Sequence, residues 1–192
     1  MKLLVLRHAA TPWNEARRLQ GRSDIGLSAK GRAEASGWRL PGWAAGWPVL
    51  TSPLKRAQQT ALLMGCRAQT VPWLIEMDWG RWEGWRLADL RKALGPKMAA
   101  MEARGLDLHP PCGESPRAVG HRLQPFLPAL PRAQGYVLVA HKGVIRALLA
   151  LATGWDMRAD WPERLQSGRA HLFTLNTQGR LQLDRLNLEL RP

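Results

Sequence analysis

Two imidazoles in this chain stand where apolar runs stop: Leu3 to Leu6 ends at Arg7-His8, and Tyr136 to Ala140 ends at His141. A short apolar run bounded by polar residues reads as a buried strand, and open α/β sheets place ligands just beyond the carboxyl ends of their strands. The pattern therefore predicts that both rings meet in one crevice. Arginines accompany them, with Arg7 beside His8 and Arg56 shortly after the turn-like Thr51-Ser52-Pro53. A neutral imidazole is nucleophilic at physiological pH, whereas a serine hydroxyl needs a separate base. Planar guanidinium groups offer paired donors to the terminal oxygens of a phosphoryl group. The set points to phosphoryl transfer.

The elements that must position these groups can be read along the chain. Lys2 to Leu6 is expected as the first strand, and Arg7 to Leu27 as a long loop punctuated by Pro12, Gly21 and Gly26, a length that is usually functional inside a compact domain. Ser28 caps a helix running to Trp38. Val49-Leu50 starts another strand, after which Ser52-Pro53 offers a capping hydroxyl and a first-turn proline for a helix from Leu54 to Met64. Arg56 then falls in the first turn, where its charge adds to the field of the helix N-terminus. Gln69 to Pro72 reads as a short strand and Trp73 to Trp85 as irregular. Leu87 to Leu94 and Lys97 to Arg104 are expected as short helices parted by Gly95-Pro96. A loop surrounds Pro110-Pro111 and Gly113, and a helix from Glu114 to Leu130 should break or bend at Pro125 and Pro128. After the strand Tyr136 to Ala140, a helix from Val144 to Ala152 ends at Gly154, and His171 to Asn176 with Leu181 to Asn187 forms a β-hairpin around Gly179. Alternating strands and helices make an α/β sandwich.

Composition narrows the partners. With 192 residues the chain fits one domain, and 45% apolar with 22% charged residues is ordinary for a soluble globular protein. No segment approaches the roughly 20 apolar residues that a membrane-spanning helix needs. The opening MKLLVLRHAA is too short and too soon interrupted by Arg7-His8 for a secretion signal, so a cytoplasmic location is expected. Cys66 and Cys112 show no CxxC spacing and no company of histidines, which argues for reduced thiols and against a disulfide framework or a zinc site. A net charge of +13 can signal nucleic-acid binding, yet the basic residues are scattered, without a Lys/Arg tract, a basic tail or zinc-finger spacing. The abundance of arginine, alanine, glycine, proline and tryptophan suits GC-rich codons. Attraction of small anions is the consequence drawn, and without a long apolar stripe a monomer or weak homodimer is expected.

The segment LVLRHAATPWN (Leu4 to Asn14) resembles the RHG signature of the histidine phosphatase superfamily. Five more segments resemble that family in the same order: LQGRSDIGLSAKGRAEA (Leu19 to Ala35), TSPLKRAQQTA (Thr51 to Ala61), IEMDWGRWEG (Ile75 to Gly84), CGES (Cys112 to Ser115) and VAHKGVIRAL (Val139 to Leu148). The resemblance implies a three-layer α/β/α sandwich with a mostly parallel central sheet, phosphoglycerate mutase-like, in a single domain 1–192 with a cap-like segment at about 82–111 that selects the leaving group. It implies that His8 becomes phosphorylated, one ring nitrogen being held by a backbone carbonyl. Arg7, Arg56 and His141 would surround the phosphoryl group, where fixed cationic donors stabilise the spreading negative charge. Asn14 would touch the phosphate too, and Thr11, Gln20 and Gly21 would line the substrate side.

Glu76 matches the family's acid, which protonates the leaving oxygen and then accepts a proton from water; burial among Trp73 and Trp79 would raise its pKa. Asp78 and Glu83 are rival acids, and the spacing from Glu76 to Gly80 favours Glu76. Two departures stand out. Ala9 replaces the commoner glycine after the nucleophile, a small change if its φ is negative. Lys142 replaces the usual glycine after the second histidine; as a candidate substrate contact it adds a cation for substrate anions, and as a lone lysine it points to solvent, the commoner fate. His109, His121 and His171 lack comparable company and read as structural or surface residues. Trp13, Trp79, Trp82 and Trp85 flank the site and can stack on a flat portion of substrate.

The expected function is a metal-independent phosphomonoesterase, without cofactor, that hydrolyses a small phosphate ester through a phosphohistidine on His8. A cofactor-dependent phosphoglycerate mutase is the alternative. The resembling mutases are longer and carry an inserted segment after the acid, whereas about fifty residues separate Gly84 from Tyr136 here, although Arg86, Arg91, Lys92, Lys97 and Arg104 lie among them. A non-catalytic basic binding protein is the second alternative.

Overall fold

Leu3 and Val5 pack into one apolar cluster while Leu4 and Leu6 pack into another. The strand β1 (Lys2–Arg7) is thus covered on both faces, as the near-continuous apolar run of a central parallel strand requires. In the computed structural model, which describes residues 1–190, β1 lies between β4 (Gly135–Ala140) and β5 (Arg169–Leu175). The sheet continues on one side through β2 (Val49–Thr51) to β3 (Ala68–Thr70), and on the other to β6 (Leu181–Glu189), giving the order β3-β2-β4-β1-β5-β6. The first four pair in parallel; β5 and β6 form the antiparallel hairpin at the far edge. Arg191 and Pro192, the last two residues of the expected 1–192 unit, lie outside the described residues.

Helices cover both faces, which makes the three-layer arrangement. Helix α1 (Pro12–Glu15) is a single turn within the loop after β1. Ala35 of α2 (Ala29–Ser36) and Ala57 and Ala61 of α3 (Lys55–Leu63) close over Leu4, Leu6, Val137 and Val139. The opposite face carries α6 (Pro116–Ala129) and α7 (Lys142–Thr153), whose Leu123, Phe126, Ile145 and Leu148 meet Leu3, Val5 and Leu138. A third, smaller apolar cluster of Trp82, Leu90 and Met98 belongs to the segment that holds α4 (Leu87–Leu94) and α5 (Pro96–Glu102). No helix among the described residues is long and apolar enough to cross a membrane. Cys66 and Cys112 are both free thiols.

Several expectations need correcting. The loop from Arg7 to Leu27 is not structureless: Thr11 and Asn14 form a reciprocal capping box around α1. Helix α6 runs without a break through Pro125 and Pro128. Each proline withdraws a donor from the carbonyl four residues earlier, at His121 and Gln124, and those residues and both prolines lie on the exposed face, where water can satisfy the carbonyls. Buried Leu123, Phe126 and Leu127 hold the helix on the sheet. Helix α7 starts at Lys142, directly after His141, and not at Val144.

Because β1, β2, β3 and β4 run in parallel, their carboxyl ends share one edge of the sheet, which is where an open α/β sheet holds ligands. The loop after β1 is pressed tightly against α2, since a Cβ at Gly31 would overlap the Ala10 carbonyl. Gly31→Ala should therefore cost about 1–3 kcal/mol in urea unfolding. Gly42→Ala, whose Cβ would meet open space, should stay within about 0.5 kcal/mol of the parent.

Candidate active site

The pairing of Arg7 with Ala140 across the β1–β4 ladder sets His8 and His141 side by side at the sheet edge. Their ring centroids are 5.1 Å apart, and the His8 amide donates to the Ala140 carbonyl at 3.0 Å. His8 Nδ1 lies 2.7 Å from the Ala9 carbonyl. A carbonyl only accepts, so Nδ1 carries the proton and Nε2 keeps its lone pair. Burial, and then the charges of Arg7 and Arg56, push the His8 pKa well below the ordinary imidazole range against the opposing pull of the Ala9 carbonyl. Ala9 is not among the residues with positive φ, so alanine replaces glycine there without strain. Its amide donates to Thr60 Oγ1 at 3.0 Å, and that hydroxyl donates to the Arg56 carbonyl at 2.7 Å.

Arg7 lines a cavity of about 620 Å³ in front of His8. Its Nε is buried with no hydrogen-bond partner in the protein, and so is Nε2 of Gln20, which also lines that cavity. The Gln20 amide is oriented by Thr11, whose hydroxyl accepts from the Asn14 amide at 3.1 Å and donates to Gln20 Oε1 at 2.8 Å. Asn14 spends its Oδ1 on the Thr11 amide at 3.1 Å and also faces the cavity. Thr11 is completely buried and stands one layer behind the wall. Gly21 also lies off the wall, where a side chain would run into the Glu83 carboxylate and the Trp79 backbone; its carbonyl accepts from Arg56.

Arg56 is fully buried, and most of its donors serve the protein. Nη1 reaches the Ser23 carbonyl at 2.9 Å, Nη2 reaches those of Gln20 at 3.0 Å and Gly21 at 2.7 Å, and Nε donates to His141 Nδ1 at 3.3 Å. A guanidinium has five N–H donors, so one on Nη1 stays uncommitted. Burial lowers its pKa to about 10, and it remains a cation. Because His141 Nδ1 accepts, its Nε2 holds the proton and donates to Ser52 Oγ at 2.7 Å. The two imidazoles thus carry opposite tautomers. Burial first, then the neighbouring His8, Arg56 and Arg7, keeps His141 neutral.

Two of these roles were misread or missed in the sequence. Ser52 is not the N-cap of α3, a place taken by Leu54; the Ser52 hydroxyl accepts from the Leu54 amide at 3.3 Å and also serves His141. The α3 amide of Lys55 is taken instead by Asp24 at 2.7 Å, from a loop that no local capping rule associates with this helix.

Glu76 is 7% exposed and lines the cavity. Oε1 accepts from the Met77 amide at 2.8 Å and Oε2 from the Gly143 amide at 3.2 Å. A Cβ at Gly143 would push this carboxyl out of its place, so glycine there lets the helix start approach the acid closely. Burial raises its pKa, and outweighs the two amides and the charges of Arg56 and Arg7 that pull it down. Trp73 is 47% exposed and does not line the cavity, so it is not the source of that burial; Trp79 does line it. The rival acids are used elsewhere. Asp78 accepts from the Gly80 amide at 2.8 Å, and Glu83 holds the amides of Arg22 at 2.5 Å and Ser23 at 2.8 Å.

Of the flanking tryptophans, Trp82 is buried against Trp79 in a stacked pair with centroids 6.4 Å apart, Trp85 is exposed, and Trp13 packs beside Gly84. Lys142 is exposed and also forms part of the cavity wall, so the two alternatives for it coincide. His109 and His121 are exposed, while His171 is buried, with burial driving its pKa down to about 4. The arrangement presents a neutral nucleophilic nitrogen, unpartnered cationic and amide donors, and a carboxyl biased toward its protonated form, all around one cavity.

Residues 3–189 match the sequence profile of the histidine phosphatase superfamily (branch 1). The 2,3-bisphosphoglycerate-dependent phosphoglycerate mutase of Bartonella quintana is 30% identical over 190 residues, which span 91% of this chain and 92% of the mutase. Among solved structures, a mycobacterial glucosyl-3-phosphoglycerate phosphatase in complex with VO3 superposes with a TM-score of 0.84 at 27% identity, covering 98% of this chain and 99% of that one. The phosphoglycerate mutase from Thermus thermophilus gives 0.72 at 32% identity, with 98% and 100% covered. The fold is phosphoglycerate mutase-like. Length does not count against a mutase after all, since the Bartonella enzyme is matched over nearly its full extent.

Three imidazoles buried neutral give stability a definite pH dependence. In the unfolded chain each takes a proton below its ordinary value near 6.5, while the folded sites of His8, His141 and His171 resist it. Stability is therefore complete above about pH 6.5 and should fall as pH drops, by about 1.4 kcal/mol per pH unit for each proton. For His171 the loss ends near its folded value of about 4. Glu76, raised by folding, opposes the trend with a single proton. Urea unfolding across this range should show the decline, with a shallower slope in His171→Gln.

Proposed function

The chain belongs to the histidine phosphatase superfamily, a family of enzymes, and on that premise we propose that it is a phosphomonoesterase working through a phosphohistidine on His8. The observation that carries the reading is the state of His8: Nδ1–H is tied to the Ala9 carbonyl and Nε2 is left with its lone pair beside the cavity. In the first step Nε2 attacks phosphorus, the bond to the ester oxygen breaks, and Glu76 gives its proton to that oxygen. In the second a water attacks the phosphohistidine, the P–N bond breaks, and Glu76 takes the water's proton as phosphate leaves. Arg7, Gln20 and Asn14 offer donors to the equatorial oxygens from the cavity wall, and Arg56, with one Nη1 proton uncommitted, and His141 stand behind that wall, fully buried. Such preorganised donors need little reorganisation as charge moves. The chemistry is supplied by side chains alone, and no step calls for a metal ion or cofactor.

Water as acceptor is favoured by the cavity wall, where Arg17, Arg18, Lys142 and Arg158 are exposed, so the cavity that His8 lines is open to solvent. A mutase must exclude water from it. The mutase reading keeps one observation in its favour, the likeness to the Bartonella enzyme over nearly its full length. Leu87, Met98 and Leu108 from the segment 82–111 form one side of the cavity, and we assign to that segment the role of a cap, within one domain, that helps choose the leaving group. Small phosphate esters fit this site, in line with the names of the phosphatase and mutase relatives.

His8→Ala should abolish turnover, and brief reaction with a labelled ester should leave acid-labile, base-stable phosphate on the parent protein only. With 3-phosphoglycerate and a 2,3-bisphosphoglycerate primer, phosphate release should outpace interconversion of the phosphoglycerates; the reverse order would establish the mutase.

Glu76→Gln should lower kcat/KM on alkyl phosphates by roughly 10²–10⁴-fold and spare p-nitrophenyl phosphate, whose leaving oxygen needs no proton. Since the acid form is required in the first step, kcat/KM for alkyl esters should fall as pH rises through the elevated Glu76 pKa, and that limb should vanish in Glu76→Gln.

A further inference from the structure

Lys142 opens α7, a helix with no acidic residue in its first turn and no side-chain cap. A cation at that end opposes the helix dipole, and no ion pair among the described residues compensates it; the strongest charges around it are those of Arg7, Arg146 and Arg164, with Glu76 opposing them. Its position is also a junction. Lys142, with Arg7, Arg146 and Asp160, lines both the cavity in front of His8 and a second one of about 740 Å³ that extends toward residues 155–167.

Arg146 lies one helical turn beyond Lys142, on the same face. Its guanidinium carbon sits 4.8 Å from the centroid of the Trp155 ring, and that ring is fixed by a bond from its Nε1 to the Ala159 carbonyl at 2.9 Å. Arg164 stands in the wall of the second cavity. Of the acids there, Asp160 faces Arg146 and Glu163 accepts from Asn187 at 2.6 Å. Neither neutralises Lys142.

We propose that Lys142 and Arg146 form a second anion subsite at this junction, and that the substrate is a phosphomonoester with a carboxylate or a second phosphate on its leaving group. The proposal rests on the phosphatase reading. It places selection of the leaving group on α7 and the loop beyond it as well as on the segment 82–111. The phosphoryl group goes to His8 and Arg7, and the second anion supplies the counter-charge that the protein withholds from Lys142.

The test compares matched pairs. 3-Phosphoglycerate and glycerol 3-phosphate differ by one carboxylate; fructose 1,6-bisphosphate and fructose 6-phosphate differ by one phosphate. The parent protein should favour the doubly anionic member of at least one pair by about tenfold or more in kcat/KM, the size of a charge-assisted hydrogen bond, and which pair responds identifies the anion. Lys142→Met should bring that ratio close to one, Lys142→Glu should invert it and Lys142→Arg should keep it. A ratio near one in both pairs for the parent, or a ratio unmoved by Lys142→Met, overturns the subsite. Failure to hydrolyse any of the four esters, with no turnover of p-nitrophenyl phosphate either, overturns the phosphatase reading instead. Calorimetric binding of the same pairs to the parent and to Lys142→Met then decides the subsite, which again falls if the affinity ratio is near one in both pairs or is unmoved by the substitution.

Discussion

Burying guanidinium groups against two imidazoles is the constraint on which this structure turns. Arg56 is completely enclosed, and Arg7 has its Nε sealed from solvent without a partner. A buried cation is costly unless hydrogen bonds and opposite charge surround it. That cost is met unevenly here. Arg56 is surrounded by the carbonyls of Gln20, Gly21 and Ser23, whereas Arg7 is left with an unsatisfied donor at the cavity. Burial, and after it the same positive field, makes protonation of His8 and His141 unfavourable, so the cations that can receive an anion also help to keep His8 unprotonated.

Satisfying Arg56 organises the loop that follows β1. Its three carbonyl partners belong to residues 20–23, and Glu83 grips the amides of Arg22 and Ser23 from the other side. Asp24 then caps α3, the helix that carries Arg56 itself. The loop, the helix and the guanidinium are mutually dependent. Thr11 transmits this order to the cavity, since its hydroxyl both caps α1 and turns the Gln20 amide so that Nε2 faces inward. A loop held by this many bonds does not need regular secondary structure to be precise.

What could be read in the sequence is what local pattern dictates. The apolar runs of β1 and β4 and the residues that end them mark the sheet edge, because burial on both faces leaves few polar positions. The short motifs identified Arg7, Asn14, Glu76 and the two histidines as a group. The errors arose where a distant partner outweighed a local rule. Ser52-Pro53 has the form of a helix start, and the Ser52 hydroxyl does accept from the Leu54 amide, yet it is shared with His141, 89 positions away, and the first-turn amide of Lys55 is taken by Asp24, 31 positions back. Pro125 and Pro128 read as breaks or bends, and the helix is unbroken because the exposed face tolerates the lost bonds while the buried face fixes the helix. Lys142 read as either solvent-facing or functional, a choice that dissolves once the residue is seen on the wall of an open cavity.

Desolvation ties these features together by acting in opposite senses on acid and base. It raises Glu76 and lowers His8 and His141, so each is biased toward its neutral form, and the arginines supply the net charge. On the proposed reading, a dianionic phosphoryl group entering such a site meets Arg7 on the wall, with the charge of buried Arg56 behind it, without first displacing an internal carboxylate or competing with an imidazolium. In the reaction proposed above, the leaving oxygen gains charge as the group transfers to His8 and becomes the strongest base in the cavity, and Glu76, biased toward its protonated form by burial, is the acid suited to answer it. Once that proton is given, the carboxylate is stabilised by the Met77 and Gly143 amides and by the same arginines. The single buried environment therefore suits both halves of the proposed reaction, provided Gly143 keeps α7 close enough for its amide to reach the acid.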